Sequence, residues 1–234
     1  MRIEKDTMGQ MELPDDSYYG AQTQRAYQNF QVSNHKIPRP MIAAIAMIKR
    51  SAAIVNHNLG FLNSQTRDAI VRSSDEVIQG KFDNQFIVDI YQTGSGTSSN
   101  MNANEVIANR ACEILNGEKG DKNLVHPNDH VNYGQSSNDV IPTSIHIAVS
   151  MEITKRLIPE LNELKKSLDK KSKEFDNIIK IGRTHLQDAT PITLGQEFSG
   201  YAKMIEHSIS RINSNLPFLY QLAQGGTAVG TGIN

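Results

Sequence analysis

The sequence predicts an all-α fold, with a mostly helical N-terminal domain at 1–136 and the first long helices of a central helical bundle at 137–234. Three long stretches repeat apolar residues at spacings of three and four, which is the period of an amphipathic α-helix. Short polar connectors separate the later stretches, as they do in antiparallel helix bundles. This helical period is the dominant pattern of the chain, and it sets the fold class.

The first long helix is predicted to follow the segment PRP at residues 38–40. Its apolar positions are Met41, Ile45, Ile48, Ala52, Val55 and Leu59, and a glycine after the last of them marks its end. Two longer helices are predicted over 145–168 and 194–219. Pro159 and Pro217 are expected to kink these helices without ending the pattern.

The rest of the chain carries weaker signals. Shorter helices are predicted near 64–79, 83–90 and 100–116. Residues 1–30 are polar and irregular, and the segment SYYGAQT within them is expected to form a short strand or an extended arm. The last residues, LAQGGTAVGTGIN from 222 onward, lose the helical period and are expected to form a glycine-rich loop.

Composition narrows the function class. The chain has 234 residues with 24 Lys and Arg against 25 Asp and Glu, so it lacks the basic balance of a nucleic-acid-binding domain. The lone Cys112 excludes a disulfide within the chain and a thiolate metal cluster. No stretch approaches the roughly twenty apolar residues that span a bilayer. The N-terminus has no signal or transit pattern, which predicts a cytoplasmic protein without a membrane partner.

Four polar clusters interrupt the apolar scaffold, and the first is TGSGTSSNMNANE at 93–105. Its candidate ligand-binding residues are Ser95, Gly96, Thr97 and Asn100. Glycines let the backbone approach a ligand, and the hydroxyl groups supply hydrogen bonds. A helix is expected to start near Asn100, with its free N–H groups directed at the loop as an anion site. The alternative is a flexible linker or an elaborate helix cap.

The second cluster is HPNDHVNYGQSSND at 126–139. Ser137 or Asn138 can cap the helix that follows, but one cap needs only one such residue, and Ser136 makes a third. His126 and His130 share the spacing of a helical metal pair. Pro127 favours a turn at that point, so no metal site is predicted there.

The third cluster, IGRTHLQDATPITLGQEF at 181–198, places Thr184 and His185 in a loop that neither neighbouring helix can continue. The fourth is the glycine-rich ending, whose backbone amides are expected to face a ligand. Taken together, the clusters offer neutral hydroxyl and amide groups with a histidine available for proton transfer. That set suits a small anion carrying several negative charges. Neither a phosphate-binding P-loop nor a dinucleotide-binding pattern is present.

These stretches resemble the class II fumarate hydratases of the fumarase/aspartase superfamily. The similarity covers nearly the whole chain, through segments such as TGSGTSSNMNANEVIANRA, VHPNDHVNYGQSSNDVIPTSIHIA and KIGRTHLQDATPITLGQEFSGYA. The aspartate ammonia-lyase branch typically has Gln where this sequence has His185. That difference favours the hydratase over the ammonia-lyase.

The resemblance implies reversible anti addition of water to fumarate, giving L-malate, a carbon–oxygen lyase step of the tricarboxylic acid cycle. It implies no metal and no organic cofactor. By the family pattern, His185 moves a proton through water. The substrate-binding residues it implies are Ser95, Gly96, Thr97, Asn100, Ser136, Ser137, Asn138 and Thr184. A secondary anion site is implied at His126, Pro127, Asn128 and Asp129.

The resemblance also implies a homotetramer whose active sites each combine residues of three subunits. The sequence departs from the family at Asn123, where many members have Arg, and at Gln10, where Glu is common. A third family signature, GSSxMPxKxN, with the catalytic Ser and a Lys and Asn, does not occur in these residues. We therefore expect about the first half of a family member, inactive by itself. The alternatives are an aspartate ammonia-lyase and a non-catalytic helical oligomerisation fragment.

Overall fold

A computed structural model describes residues 1–233. α-Helices dominate this part of the chain, as predicted, and two short antiparallel hairpins accompany them. The chain forms two compact units. The first contains Met1–Ala148 and the segment from Leu222 onward, and the second contains Val149–Gln221. Among the described residues, no helix is both long and apolar enough to cross a bilayer.

The first unit begins with a hairpin of β1 (Arg2–Asp6) and β2 (Gly9–Leu13), followed by α1 (Ala21–Asn29). The expected strand or extended arm at SYYGAQT is wrong from Ala21 onward, where the chain is helical, and residues 17–20 before it are irregular. The helix lacks a side-chain cap of its own. Glu105 supplies one from a distant helix, accepting hydrogen bonds from the backbone N–H groups at the start of α1, namely those of Gly20, Gln22 and Thr23.

Three further helices complete the centre of the first unit: α2 (Arg39–Asn58), α3 (Ser64–Ile78) and α4 (Thr97–Ile114). They confirm the helices predicted after 38–40, near 64–79 and near 100–116. Their apolar faces form one core with Leu13, Val140 and Ile141. Fully buried members of that core are Leu13, Ile45, Ile70, Val77, Val106, Ile107 and Val140.

The helix predicted at 83–90 is wrong. Only one 3₁₀ turn forms, at Asp83–Gln85, and the chain after it is not helical. Asn102 of α4 explains the difference: its Oδ1 accepts from Ile87 N at 3.2 Å and its Nδ2 donates to Gln85 O at 3.0 Å. These tertiary hydrogen bonds take the backbone groups that a helix would have used.

A π-helical turn at Pro127–Val131 leads to α5 (Ser137–Glu152). A second π-helical turn, at Ile153–Leu157, connects α5 to α6 (Ile158–Glu174). The stretch predicted at 145–168 is thus helical throughout. A proline has no N–H and crowds the carbonyl four residues earlier. The wider π turn includes the residue four before Pro159, so it makes space for the proline ring.

The second unit packs α6 against α7 (Leu194–Leu219). Phe175 and Phe198 make an edge-to-face contact at 5.3 Å between ring centroids. Between the helices lie β3 (Ile179–Thr184) and β4 (Gln187–Thr193), an antiparallel hairpin. The sequence predicted an irregular loop here, so the hairpin is a correction.

Candidate active site

The first unit contains a cavity of about 410 Å³ that is lined mostly by neutral polar residues. Its volume is in the range of small-molecule sites. The lining residues are Gln22, Thr97, Asn100, Met101, Asn104, Asn128, Asn132, Gln135, Ser136, Ser137, Ala228 and Ile233. The structure thus brings together Thr97, Asn100, Asn128, Ser136 and Ser137, which the sequence placed in two separate clusters.

The glycine-rich loop before α4 is shaped by two left-handed residues, Ser95 with φ 59° and Gly96 with φ 63°. At Gly96 a Cβ atom would lie 3.2 Å from Ile141, so both the backbone and the space favour glycine. Helix α4 starts at Thr97, one turn earlier than expected. The Thr97 hydroxyl donates to Gly94 O at 3.3 Å.

Two of the N–H groups that were expected to be free at the start of α4 are already bonded. Ser98 N donates to Thr93 Oγ1 at 3.3 Å, and Ser99 N donates to Gln92 Oε1 at 2.8 Å. Side chains from the preceding loop therefore cap this helix, and these two amides are not available to an anion. Hydroxyl and amide side chains remain as the groups that a ligand can meet in the cavity.

Asn100 and Asn104 lie one turn apart on the buried face of α4. Asn100 Nδ2 is 3.2 Å from both Asn132 Oδ1 and Ser137 Oγ, so it joins the two clusters. The Oδ1 atoms of Asn100 and Asn104 are buried without a hydrogen-bond partner among the described residues. Unpaired buried acceptors are costly, and a ligand hydroxyl or water in the cavity could donate to them.

The start of α5 differs from the predicted cap. Ser136 takes the capping position: its Oγ accepts from Asn138 N at 3.3 Å, and Asp139 Oδ1 accepts from Ser136 N at 2.9 Å. Neither Ser137 nor Asn138 caps the helix. Ser137 Oγ is left to contact Asn100, and Asn138 Nδ2 donates to Ala228 O at 2.8 Å.

The glycine-rich ending was expected to direct its amides at a ligand, but two of them bind protein. Asp139 is buried, and its Oδ2 accepts from Gly225 N at 3.1 Å and Thr227 N at 2.9 Å. This carboxylate holds the segment against α5 and places Ala228 and Ile233 in the cavity wall.

The segment of the predicted secondary anion site leads into a π-helical turn at Pro127–Val131. The sequence predicted a non-helical turn at Pro127, so this is a correction. His126 Nδ1 accepts from Asn128 N at 3.2 Å and Asp129 N at 3.0 Å. Asp129 Oδ2 lies 3.3 Å from the same nitrogen. In this geometry the His126 side chain caps the turn, with Nδ1 as the hydrogen-bond acceptor.

His130 completes that turn. Its Nδ1 accepts from His126 N at 2.9 Å. Burial, reinforced by His126, lowers the pKa of His130, which favours the neutral imidazole. Among residues 1–233, no three His, Cys, Asp or Glu side chains group as a metal ion would require.

Thr184 and His185 lie in the second unit, at the tip of the β3–β4 hairpin. Thr184 pairs with Gln187, and the turn passes through His185 and Leu186, whose φ is 65°. Both Thr184 and His185 are exposed. The hairpin requires glycine at position 182, since a Cβ atom there would lie 2.6 Å from Thr190 O.

Sequence reasoning missed a buried lysine behind the cavity. Lys49 of α2 is 0% exposed, and its Nζ donates to Asn132 Oδ1 at 2.7 Å and Gln135 Oε1 at 2.9 Å. Burial lowers the pKa of Lys49 to about 7, while the charge of Asp139 acts in the opposite direction. A signal was present, because Lys49 follows Ile45 by four residues on the apolar face of the helix.

Comparisons with known proteins show which family the chain resembles. The chain is 56% identical over 233 residues to class II fumarate hydratase of Ralstonia nicotianae and 57% identical over 235 residues to mitochondrial fumarate hydratase of Saccharomyces cerevisiae. It is covered completely in both alignments but spans about half of each relative, 50% and 48%.

A solved structure gives the same result for the fold. Recombinant class II fumarase from Schistosoma mansoni superposes with a TM-score of 0.96 at 47% identity, over 99% of this chain and 49% of that one. Residues 9–234 match the family described as Lyase. The chain therefore belongs to this lyase family, and it resembles the class II fumarate hydratases along its whole length.

Proposed function

We propose that the protein catalyses the reversible addition of water to fumarate, giving L-malate. The observation that carries the proposal is the neutral polar cavity, in which Thr97, Asn100 and Ser137 converge from two separate segments. The similarity to fumarate hydratases supports the same reaction. Because the chain spans about half of these relatives, the assays below use the protein extended to their length, here called the full-length protein.

Fumarate carries two carboxylates, and hydroxyl and amide N–H groups are suitable donors to them. The cavity offers the Thr97 and Ser137 hydroxyl groups and the amide of Asn100. We assign substrate binding to them and to Ser95, Gly96, Ser136, Asn138 and Thr184. The unpartnered Oδ1 atoms of Asn100 and Asn104 are placed to accept from the hydroxyl of malate or from the water that becomes it.

The reaction needs proton transfer as well as binding. In the dehydration direction, a base removes a proton from the carbon next to a carboxylate, and the electron pair passes into that group as an aci-carboxylate. The hydroxyl then leaves from the neighbouring carbon with a proton, giving fumarate and water. Preorganised donors stabilise the added charge, usually the largest catalytic effect. We assign proton transfer through water to His185, since an imidazole exchanges protons near neutral pH.

The proposal includes a homotetramer with active sites shared among subunits, and a cytoplasmic protein that needs no cofactor. It keeps the division into an N-terminal domain at 1–136 and a bundle domain at 137–234, with a secondary anion site at His126–Asp129. If each active site takes residues from different subunits, a mixed oligomer of two impaired variants will contain some sites in which every residue is wild type. Co-expressed full-length Thr97→Ala and His185→Asn subunits should recover roughly a quarter of wild-type activity if different subunits supply the two residues.

Parallel assays test the proposed reaction against the ammonia-lyase alternative. Full-length protein should convert malate to fumarate, followed by the fumarate absorbance, and should release no ammonia from aspartate. Ammonia release without malate turnover would assign the protein to the ammonia-lyase reaction. Absence of both activities would favour the non-catalytic helical alternative.

A further inference from the structure

The wall of the cavity is neutral, although the proposed substrate carries two negative charges. None of its lining residues is charged. A cation nevertheless lies directly behind it, because Lys49 donates hydrogen bonds to Asn132 and Gln135, both of which line the cavity. Its ammonium group is thus separated from the cavity by one layer of amide side chains.

The hydrogen bonds of Lys49 fix the orientation of those amides. An ammonium group donates and cannot accept, so the oxygens of Asn132 and Gln135 must face it. Asn132 Oδ1 also accepts from Asn100 Nδ2 at 3.2 Å. Gln135 Nε2 donates to Val131 O at 3.1 Å. Lys49 therefore sets the direction of a hydrogen-bond chain that reaches Asn100 and, through it, Ser137.

The charge of Lys49 is poorly compensated within the first unit. Its acidic neighbour is Asp139 on α5, whose oxygens already accept from the backbone N–H groups of Ser136, Gly225 and Thr227. Burial disfavours the protonated amine and lowers its pKa to about 7. A dianion in the cavity would favour the protonated form, since opposite charges attract strongly where water is excluded.

We propose that Lys49 is the buried cation of the dicarboxylate site, a positioning residue that orients Asn132 and Asn100 and attracts the charge of the ligand without touching it. The proposal rests on the proposed function. It predicts that the loss of ligand affinity on replacing Lys49 depends on the charge of the ligand, because the attraction grows with the number of negative charges. A purely structural lysine would not produce this dependence.

The test compares two inhibitors of fumarate hydration by the full-length protein: succinate, a dianion, and succinamate, its monoanionic amide. Lys49→Gln keeps a neutral donor toward the two amide oxygens, and Lys49→Met removes both the donor and the charge. Lys36→Gln is the control, since Lys36 is an exposed lysine that also has a lowered pKa and lies away from this cavity. Circular dichroism and thermal unfolding verify that each variant folds.

We expect the inhibition constant of succinate to rise roughly tenfold in Lys49→Gln, while that of succinamate rises no more than about threefold. Lys36→Gln should change neither constant. Equal weakening of the two inhibitors, or no weakening, would overturn the proposal, as would a Lys49→Gln protein that does not fold. If the wild-type protein neither hydrates fumarate nor binds succinate, the proposed function fails first, and this inference falls with it.

Discussion

At the scale of single residues, the cavity side chains occupy positions that a simple core would give to apolar groups. Lys49 lies on the apolar face of α2, and Asn100 and Asn104 lie on the buried face of α4. Sequence patterns identified Asn100 because it adjoins a glycine-rich loop. They missed Lys49, Asn104 and Asp139. The helical period places Lys49 on an apolar face, but it does not show which groups a polar residue will meet across the core.

The hydroxyl groups of Thr97 and Ser137 provide the first prediction. In the full-length protein, replacing either residue by Ala should reduce kcat/KM by an amount equivalent to roughly 1.5–3 kcal/mol, the range for hydrogen bonds to charged groups. Thermal stability should change little. Ser208→Ala removes a hydroxyl from α7 that only bonds its own helix and should leave the kinetics unchanged. Wild-type kinetics in both cavity variants would reduce these residues to structural roles.

His185 at the hairpin tip gives the second prediction. Full-length His185→Asn should lower kcat by roughly 10²–10⁴-fold, the range for general acid–base groups, because asparagine cannot relay a proton. Because His185 is exposed, we expect the thermal stability to change little. His207→Asn, at an exposed site on α7, is the control. Loss of folding together with activity, or retention of full activity, would remove His185 from the mechanism.

The buried amine of Lys49 makes a third prediction, for the stability of the chain against pH. Its folded pKa of about 7 lies below the usual value of 10.5. The unfolded chain therefore holds more protons between these two values, and the contribution of Lys49 to stability rises with pH across that window. Below pH 7 both states are protonated and its contribution is constant.

Urea unfolding of wild type and Lys49→Met at several pH values measures this contribution. The difference in unfolding free energy, wild type minus variant, should increase between pH 7 and the upper limit of the window, at up to roughly 1.4 kcal/mol per pH unit. Taking this difference removes the contributions of the titrating groups that the two chains share. A difference that is flat with pH would show that Lys49 titrates normally in the folded state.

At the scale of elements, helical periodicity predicted the long helices well, because each buries a continuous apolar face. The segments it predicted poorly are stabilised by distant residues. Asn102 holds the chain after Asp83–Gln85 in a non-helical form, and Glu105 starts α1 from across the unit. The hairpin at β3 and β4 was missed because its pairing gives no helical signal and its polar composition is typical of a loop.

Glu105 supplies the fourth prediction. Its buried carboxylate accepts from the N–H groups at the start of α1 at 2.8, 3.0 and 3.1 Å. Glu105→Gln replaces one accepting oxygen by a donor and should lower the free energy of unfolding by roughly 1–3 kcal/mol. Amide hydrogen exchange should accelerate first in α1. Glu118→Gln, at an exposed site, is the control, and equal effects of the two changes would contradict the capping role.

At the scale of the whole molecule, the sequence grouped the predicted binding residues into clusters but could not show which of them meet. The structure joins the α4 and α5 clusters in one cavity through Asn100 and Ser137. The two residues of the hairpin tip, Thr184 and His185, belong to the other compact unit. Their proposed part in the reaction therefore rests on the family resemblance, and the complementation experiment tests it.

The most direct test of the account is the fate of fumarate in D₂O with the full-length protein, followed by ¹H NMR. Anti addition of water predicts L-malate that carries one deuterium beside the carboxylate, as a single diastereomer with one vicinal coupling constant. The diastereomer and coupling constant of syn addition, malate with deuterium in both orientations, or no malate above a protein-free control would contradict it.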